Sequence, residues 1–133
     1  MKNIQEYKNK WFDFVNYTPH FGQKLLHDPP KGIYHPQHNP KGVRYTIVSA
    51  GRRFGKSYSA ARELELQLCI PKSTCWIVAP NYVTAGRIFE FIYMELVVNK
   101  KYKPSRYSAK DLILEFEWDQ GKSGLNGKSA ENP

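Results

Sequence analysis

The stretch Ala50-Gly51-Arg52-Arg53-Phe54-Gly55-Lys56-Ser57 sets two glycines, two arginines, a lysine and a serine within eight residues. Those types in that order suit the capture of a phosphate chain. A glycine-containing turn can wrap its backbone N–H groups around anionic oxygens, and Gly51 and Gly55 permit the close approach and unusual dihedrals this requires. Arg53 and Phe54 complete the wrap between the two glycines. Lys56 would lay its ammonium against the outer phosphates, and the Ser57 hydroxyl would ligate the Mg²⁺ that accompanies ATP. A helix opening at this point would aim its partial positive charge at the same anion. Ala50 occupies the first glycine position of the phosphate-binding pattern and is small enough to fit. The plainer alternative is a helix-capping Gly-Lys-Ser turn with no ligand.

Arg52, four residues before Lys56, is placed to reach a γ-phosphate and stabilise transition-state charge in the manner of an arginine finger. Arg52 and Lys56 are therefore the candidate catalytic residues, and Arg53 is assigned to the phosphate-binding wrap. The alternative is a solvated arginine pair that attracts phosphate without specificity.

Such a loop must be held between a strand and a helix. Val43-Arg44-Tyr45-Thr46-Ile47-Val48 is β-branched and aromatic, which predicts a strand running into the turn. Ser57–Leu68 reads as a helix with Ala60, Ala61, Leu64 and Leu68 on one face, ended by Pro71. The apolar run Thr74–Ala79 predicts a strand covered on both faces, and Tyr82–Val98 a long helix after Pro80. Strands linked by helices imply βαβ units and parallel pairing. Further on, Leu112–Trp118, the turn Asp119-Gln120-Gly121 and a weaker run Leu125–Ser129 predict a C-terminal β-hairpin. Before the loop, Ile4–Tyr17 is an amphipathic helix with Ile4, Tyr7, Trp11, Phe14 and Val15 near helical spacing, and Phe21–His27 is a second, short one. Four prolines within Asp28–Lys41 then exclude regular structure.

A length of 133 residues suits one domain with a core, and 41% hydrophobic against 24% charged residues reads as globular. The net charge of +8 favours polyanionic partners, though a solubilising surface explains it equally well. No apolar run approaches the ~20 residues of a membrane span. Cys69 and Cys75 are expected as buried thiols of a reducing compartment, which makes a cytoplasmic protein the expectation. His20, His27, His35 and His38 lack the spacing and company of a metal site. Lys100, Lys101, Lys103 and Arg106, interleaved with Tyr102 and Tyr107, suit either a DNA backbone contact or a solvated loop. No order or spacing suggests covalent catalysis.

Four pieces in sequence order resemble the N-terminal ATPase domain of tailed-phage terminase large subunits, the motors that package DNA into procapsids. They are Pro19-His20-Phe21-Gly22-Gln23, the P-loop Ala50–Ser57, Ala79-Pro80-Asn81, and Gly127-Lys128-Ser129-Ala130-Glu131-Asn132-Pro133. The likeness spans most of residues 19–133. It implies that Gln23 reads adenine through N6 and N7, the alternative being a solvated helix glutamine, and that Ala79-Pro80-Asn81 relays between nucleotide and DNA, a plain strand-ending turn being the alternative. It implies an α/β fold: an incomplete P-loop NTPase core of parallel strands and flanking helices plus the β-hairpin. The organisation expected is 1–42 as helical segment and linker carrying the adenine-reading Gln23, then 43–133 as a partial ATPase domain.

Implied cofactors are ATP and Mg²⁺. Implied partners are double-stranded DNA and, in the intact motor, a terminase small subunit, a portal protein and further copies in a ring, with no membrane, in the cytoplasm of a bacterial host. The family's next element, a buried strand ending in Asp-Glu, is not found by residue 133, since Asp111, Glu115 and Glu117 do not end such a strand; nor are its coupling motif and nuclease domain. The chain is thus expected to be a truncated or split product that binds nucleotide weakly and hydrolyses ATP negligibly alone. The competing identities are a fragment of another P-loop DNA translocase or helicase, and a non-catalytic DNA-binding module with a relic P-loop.

Overall fold

The computed structural model describes residues 4–27 and 47–131. The expected proline-rich linker, with His35 and His38, lies outside those residues, as do 43–46 of the expected loop-entry strand. The chain divides into two compact units, 1–60 and 61–133. The 50–57 loop thus shares a unit with the N-terminal helices.

In the first unit, α1 (Ile4–Phe14) is followed by α2 (Phe21–His27). Trp11, Phe12, Val15 and Tyr17 are buried, while Tyr7 and Phe14 are half exposed. The helix ends at Phe14 because Asn16 turns the chain at a φ of 54°, and that turn carries Val15 and Tyr17 back under the helix. Phe12 then meets the Tyr17 ring edge-on at 5.0 Å and the His27 ring at 4.5 Å, and the Tyr17 hydroxyl lies 3.0 Å from His27 Nε2. A buried imidazole is thereby hydrogen-bonded rather than left as an orphan polar group. That use explains His27 without a metal.

Helix α3 (Lys56–Leu68) opens at the exit of the loop, one residue earlier than expected. Its buried stripe is Ala61, Arg62, Glu65 and Leu68, and the anticipated Ala60 is exposed. Two charged residues sit on that stripe because they pair with each other: Arg62 Nη1 lies 2.9 Å from Glu65 Oε2 and 3.3 Å from Glu95 Oε1.

The second unit is a four-stranded mixed sheet with flanking helices. The strands are β1 (Thr74–Ala79), β2 (Arg106–Ser108), β3 (Ile113–Trp118) and β4 (Gly121–Ser129), in the order β1-β4-β3-β2. Only β1 and β4 run parallel, Cys75 opposite Leu125 and Ala79 opposite Ser129. β3 pairs antiparallel with both β2 and β4, Trp118 facing Gly121 across Asp119 and Gln120. The expected sheet of parallel strands is therefore corrected to a mixed one. Ile47 and Val48 are in no strand, and Ile47 is 95% exposed.

One face of the sheet carries the core: Cys75, Ile77 and Ala79 from β1, Ser123, Leu125 and Ser129 from β4, Leu114 and Phe116 from β3. Helix α4 (Tyr82–Tyr93) packs on β1 and β4 with Ala85, Phe89 and Ile92 buried. The C-terminal end of α3 reaches the same sheet, where its Leu68 carbonyl accepts from Trp118 Nε1 at 3.0 Å and from the Ser123 hydroxyl. On the opposite face Trp76 and Val78 are 62% and 63% exposed. The expectation that β1 is covered on both faces is thus wrong, because among the described residues no helix of this unit lies over the second face. The long helix expected over 82–98 also divides: α4 gives way to a π-helical turn, Met94–Asn99, which places the consecutive residues Glu95 and Leu96 on the buried side.

Small residues in β4 let this face close. A Cβ on Gly127 would stand 2.6 Å from Leu112 Cδ1 and 2.7 Å from its Cβ. Gly127→Ala is expected to lower stability by about 1–3 kcal/mol through overpacking, read from urea denaturation.

Cys75 is buried and Cys69 half-buried, both as free thiols. Burial, with Glu65 nearby, pushes the Cys69 thiol up to about 12. Among the described residues no helix is long and apolar enough to cross a membrane.

Candidate functional site

The loop between Val48 and α3 has the helix expected at its exit, whereas the described residues at its entry, 47–50, form no strand. Arg52 and Arg53 form a turn, Arg53 at a φ of 65°, and Gly55 follows at 86°. Two left-handed residues so close together reverse the chain tightly, and the Gly55 conformation is one that an L side chain resists by roughly 1–2 kcal/mol. Helix α3 begins at the very next residue, so its first backbone N–H groups, which lack intrahelical acceptors, lie at the exit of the turn.

Lys56 closes this turn upon itself. Its Nζ donates to the carbonyl of Ala50 at 2.6 Å and to that of Gly51 at 3.0 Å. The ammonium is thus held over the mouth of the loop by two neutral acceptors, which an anion with a full charge would displace. No atom lies within 4 Å of where a Cβ on Gly51 would stand, so that side of the loop is open. Ser57, Arg52 and Arg53 are exposed. An open side, a cation and an exposed hydroxyl thus stand together at a helix start. Ser59, one turn into the helix, is buried and donates its hydroxyl to the Gly55 carbonyl at 2.9 Å, which fixes the loop exit.

Gln23 lies against the same glycine. Its Nε2 donates to the Gly55 carbonyl at 3.4 Å, its Oε1 accepts from the His20 backbone N–H at 3.1 Å, and the residue is only 6% exposed. The sequence-predicted residues Gln23, Phe54 and Gly55 are therefore brought together, as are Ala50, Gly51 and Lys56. The solvated-glutamine alternative fails on burial. A Cβ on Gly55 would stand 2.5 Å from Gln23 Nε2. Gly55→Ala is thus expected to cost about 1–2 kcal/mol from its positive φ, and to dislodge Gln23. The thermal midpoint should fall, and nucleotide affinity should fall at least about tenfold, the equivalent of 1.4 kcal/mol.

His20 was not legible as part of this assembly by type, yet its spacing from Gln23 carried a signal. A residue able to accept at the N-cap, followed three positions later by Gln, is the capping-box pattern. Here His20 takes the cap: its Nδ1 accepts from the N–H groups of Gly22 at 3.1 Å and Gln23 at 3.4 Å.

Other predicted features sit elsewhere. Asn81 caps α4 through its Oδ1, which accepts from Thr84 N at 2.9 Å. The segment is bound to the end of β4, since Ala130 N donates to Ala79 O at 2.8 Å and Ser129 Oγ to Pro80 O at 3.1 Å. Glu115 and Glu117 lie inside β3, and Glu115 faces Arg106 at 3.9 Å on the partly open side of the sheet. The described residues contain no cluster of three metal-ligating side chains.

No family model and no curated protein matches the chain. Among solved structures it resembles the large terminase ATPase domain of Thermus phage P74-26, at 26% identity over 92% of this chain and a TM-score of 0.70. A point mutant of that domain gives 26% identity, the same coverage and a TM-score of 0.69. The chain spans about half the length of the solved chains it matches, 50% in each case. The likeness in fold and sequence across most of the chain is one of structural homology to that ATPase domain.

Proposed function

We propose, from the premise that the chain is a structural homologue of a phage terminase large-subunit ATPase domain, that it binds Mg²⁺·ATP in the 50–57 loop and serves the ATP-driven part of a viral DNA-packaging motor. The observation that carries this reading is the loop itself: Gly55 at a φ of 86°, the Lys56 ammonium 2.6 Å and 3.0 Å from loop carbonyls, and a helix opening at Lys56. The bound ion would shield the charge of the triphosphate and polarise its terminal phosphate.

Each residue then has a physical task. The N–H groups from Gly51 to Ser57 wrap the phosphates, with Ala50 at the entrance and Arg53 and Phe54 shaping the turn. Lys56 exchanges its two carbonyl partners for phosphate oxygens, and Ser57 offers its hydroxyl to the Mg²⁺. Arg52 reaches the terminal phosphate, where charge grows as it is transferred. Gln23 keeps one N–H and one oxygen lone pair beyond its present bonds, the pair that adenine N7 and N6 require. In this scheme residues 1–42 form the base-reading arm and 43–133 part of the ATPase domain. Double-stranded DNA, a terminase small subunit, a portal protein and further copies in a ring are the proposed partners, in a bacterial host cell.

Calorimetric titration of the chain with Mg²⁺·ATP tests the reading. Saturable one-to-one binding is the expected result, and no heat of binding at millimolar nucleotide would overturn it.

A further inference from the structure

We infer that His20 is a positioning residue that straps the Gln23-bearing helix to the phosphate loop, and so sets the base preference of the site. The inference rests on the nucleotide reading above and deepens it.

The imidazole works from both nitrogens. Nδ1 faces two backbone donors, Gly22 N and Gln23 N, and must accept. Nε2 lies 2.8 Å from the Phe54 carbonyl, which can only accept, so Nε2 carries the proton and donates. One ring thereby caps α2 and holds the loop. The ring also meets Phe54 edge-on, 4.9 Å between centroids, and Gly22 leaves the space, since a Cβ there would stand 2.5 Å from the Phe54 ring.

Gln23 repeats the arrangement one residue along. Its Oε1 completes the capping box by accepting from His20 N, and its Nε2 donates to Gly55 O. Two side chains of one helical turn thus hold the consecutive carbonyls 54 and 55. A consequence for recognition follows. A free carboxamide can rotate by half a turn and exchange its donor and acceptor, which would lose the match to the N7 acceptor and N6 donor of adenine and leave one matched and one clashing contact with guanine, whose O6 and N7 both accept. With Oε1 fixed on His20 N and Nε2 fixed on Gly55 O, only one orientation remains. The helix that carries the amide stays at a set distance from the loop because His20 ties it to Phe54. Loss of that tie should remove the contribution of the base while leaving the phosphate contribution, which depends on Gly55 and Lys56.

Two substitutions separate the functions of the ring. His20→Asn keeps an acceptor near the Nδ1 position, so the helix cap survives, but it cannot reach the Phe54 carbonyl. His20→Gln keeps a donor near the Nε2 position and gives up the cap. Affinities for Mg²⁺·ATP, Mg²⁺·GTP and inorganic tripolyphosphate are measured for each, alongside thermal melting. For His20→Asn we expect a melting midpoint lowered by no more than the loss of one exposed hydrogen bond, an ATP affinity about tenfold weaker, a collapsed preference for ATP over GTP, and an unaltered tripolyphosphate affinity. For His20→Gln we expect a lower midpoint with the preference for ATP retained. An Asn variant with unchanged ATP affinity and preference overturns the inference, as does an equal loss for ATP and tripolyphosphate. Unmodified chain that binds neither ATP nor tripolyphosphate overturns the nucleotide reading itself, and this inference with it.

Discussion

Replacing Lys56 by alanine is expected to weaken Mg²⁺·ATP binding by about 30- to 150-fold, corresponding to about 2–3 kcal/mol for the charge-assisted hydrogen bonds lost. The fold should survive the change. Among the described residues the ammonium bonds the carbonyls of Ala50 and Gly51, which lie in a partly open loop where water can replace it. The loss should therefore appear in binding and not in stability. Lys56→Arg should recover little, because the guanidinium fork is wider than an ammonium and demands a different approach to the phosphates. An affinity unchanged in Lys56→Ala would place the ligand elsewhere and favour a non-catalytic module with a relic loop.

The largest effect on stability is expected at Arg62. Its guanidinium lies between Glu65, fully buried, and Glu95, 9% exposed, at 2.9 Å and 3.3 Å, and stands over the Phe91 ring at 5.0 Å. Asn99 Nδ2 donates to the second oxygen of Glu95 at 2.7 Å. Removing the cation leaves two carboxylates facing each other away from water. Arg62→Ala is expected to cost about 3–5 kcal/mol, measured by urea denaturation, a large fraction of an ordinary domain's stability. The triple change Arg62→Met with Glu65→Leu and Glu95→Leu removes all three charges and should recover most of that loss. A fall below about 1 kcal/mol in Arg62→Ala would mean that the carboxylates find other compensation.

These two residues mark the boundary of what could be read in advance. The tight turn at 50–57 and the helix at its exit were legible because Gly51, Gly55, Lys56 and Ser57 stand in an order that turns the chain and opens a helix. Arg62 and Glu65 were not legible, since a helical face written with Arg and Glu looks solvated until a third partner, Glu95, appears thirty residues further on. That partner reaches the buried side through a π-helical turn that no periodicity announces.

The sheet divided in the same way. β3 declared itself by alternating Leu114 and Phe116 with Glu115 and Glu117. The central strand β4 began four residues earlier than expected, because Gly121, Ser123 and Gly124 have little strand propensity and are selected there for close packing. Trp76 and Val78 made β1 read as buried on both sides, since an apolar run says nothing about whether a helix covers each face. Gln23 was singled out by resemblance. The capping box that holds it was written plainly as His20-Phe21-Gly22-Gln23, but histidine is an uncommon cap and hid the pattern.

Backbone amide resonances of the chain, followed by NMR during titration with Mg²⁺·ATP, test the phosphate socket most directly. Large saturating shifts at Gly51, Arg52, Phe54, Gly55, Lys56 and Ser57, with smaller ones at His20 and Gln23, are the result predicted. Shifts absent from residues 51–57 while another surface responds, or no response at any residue at millimolar nucleotide, would contradict it.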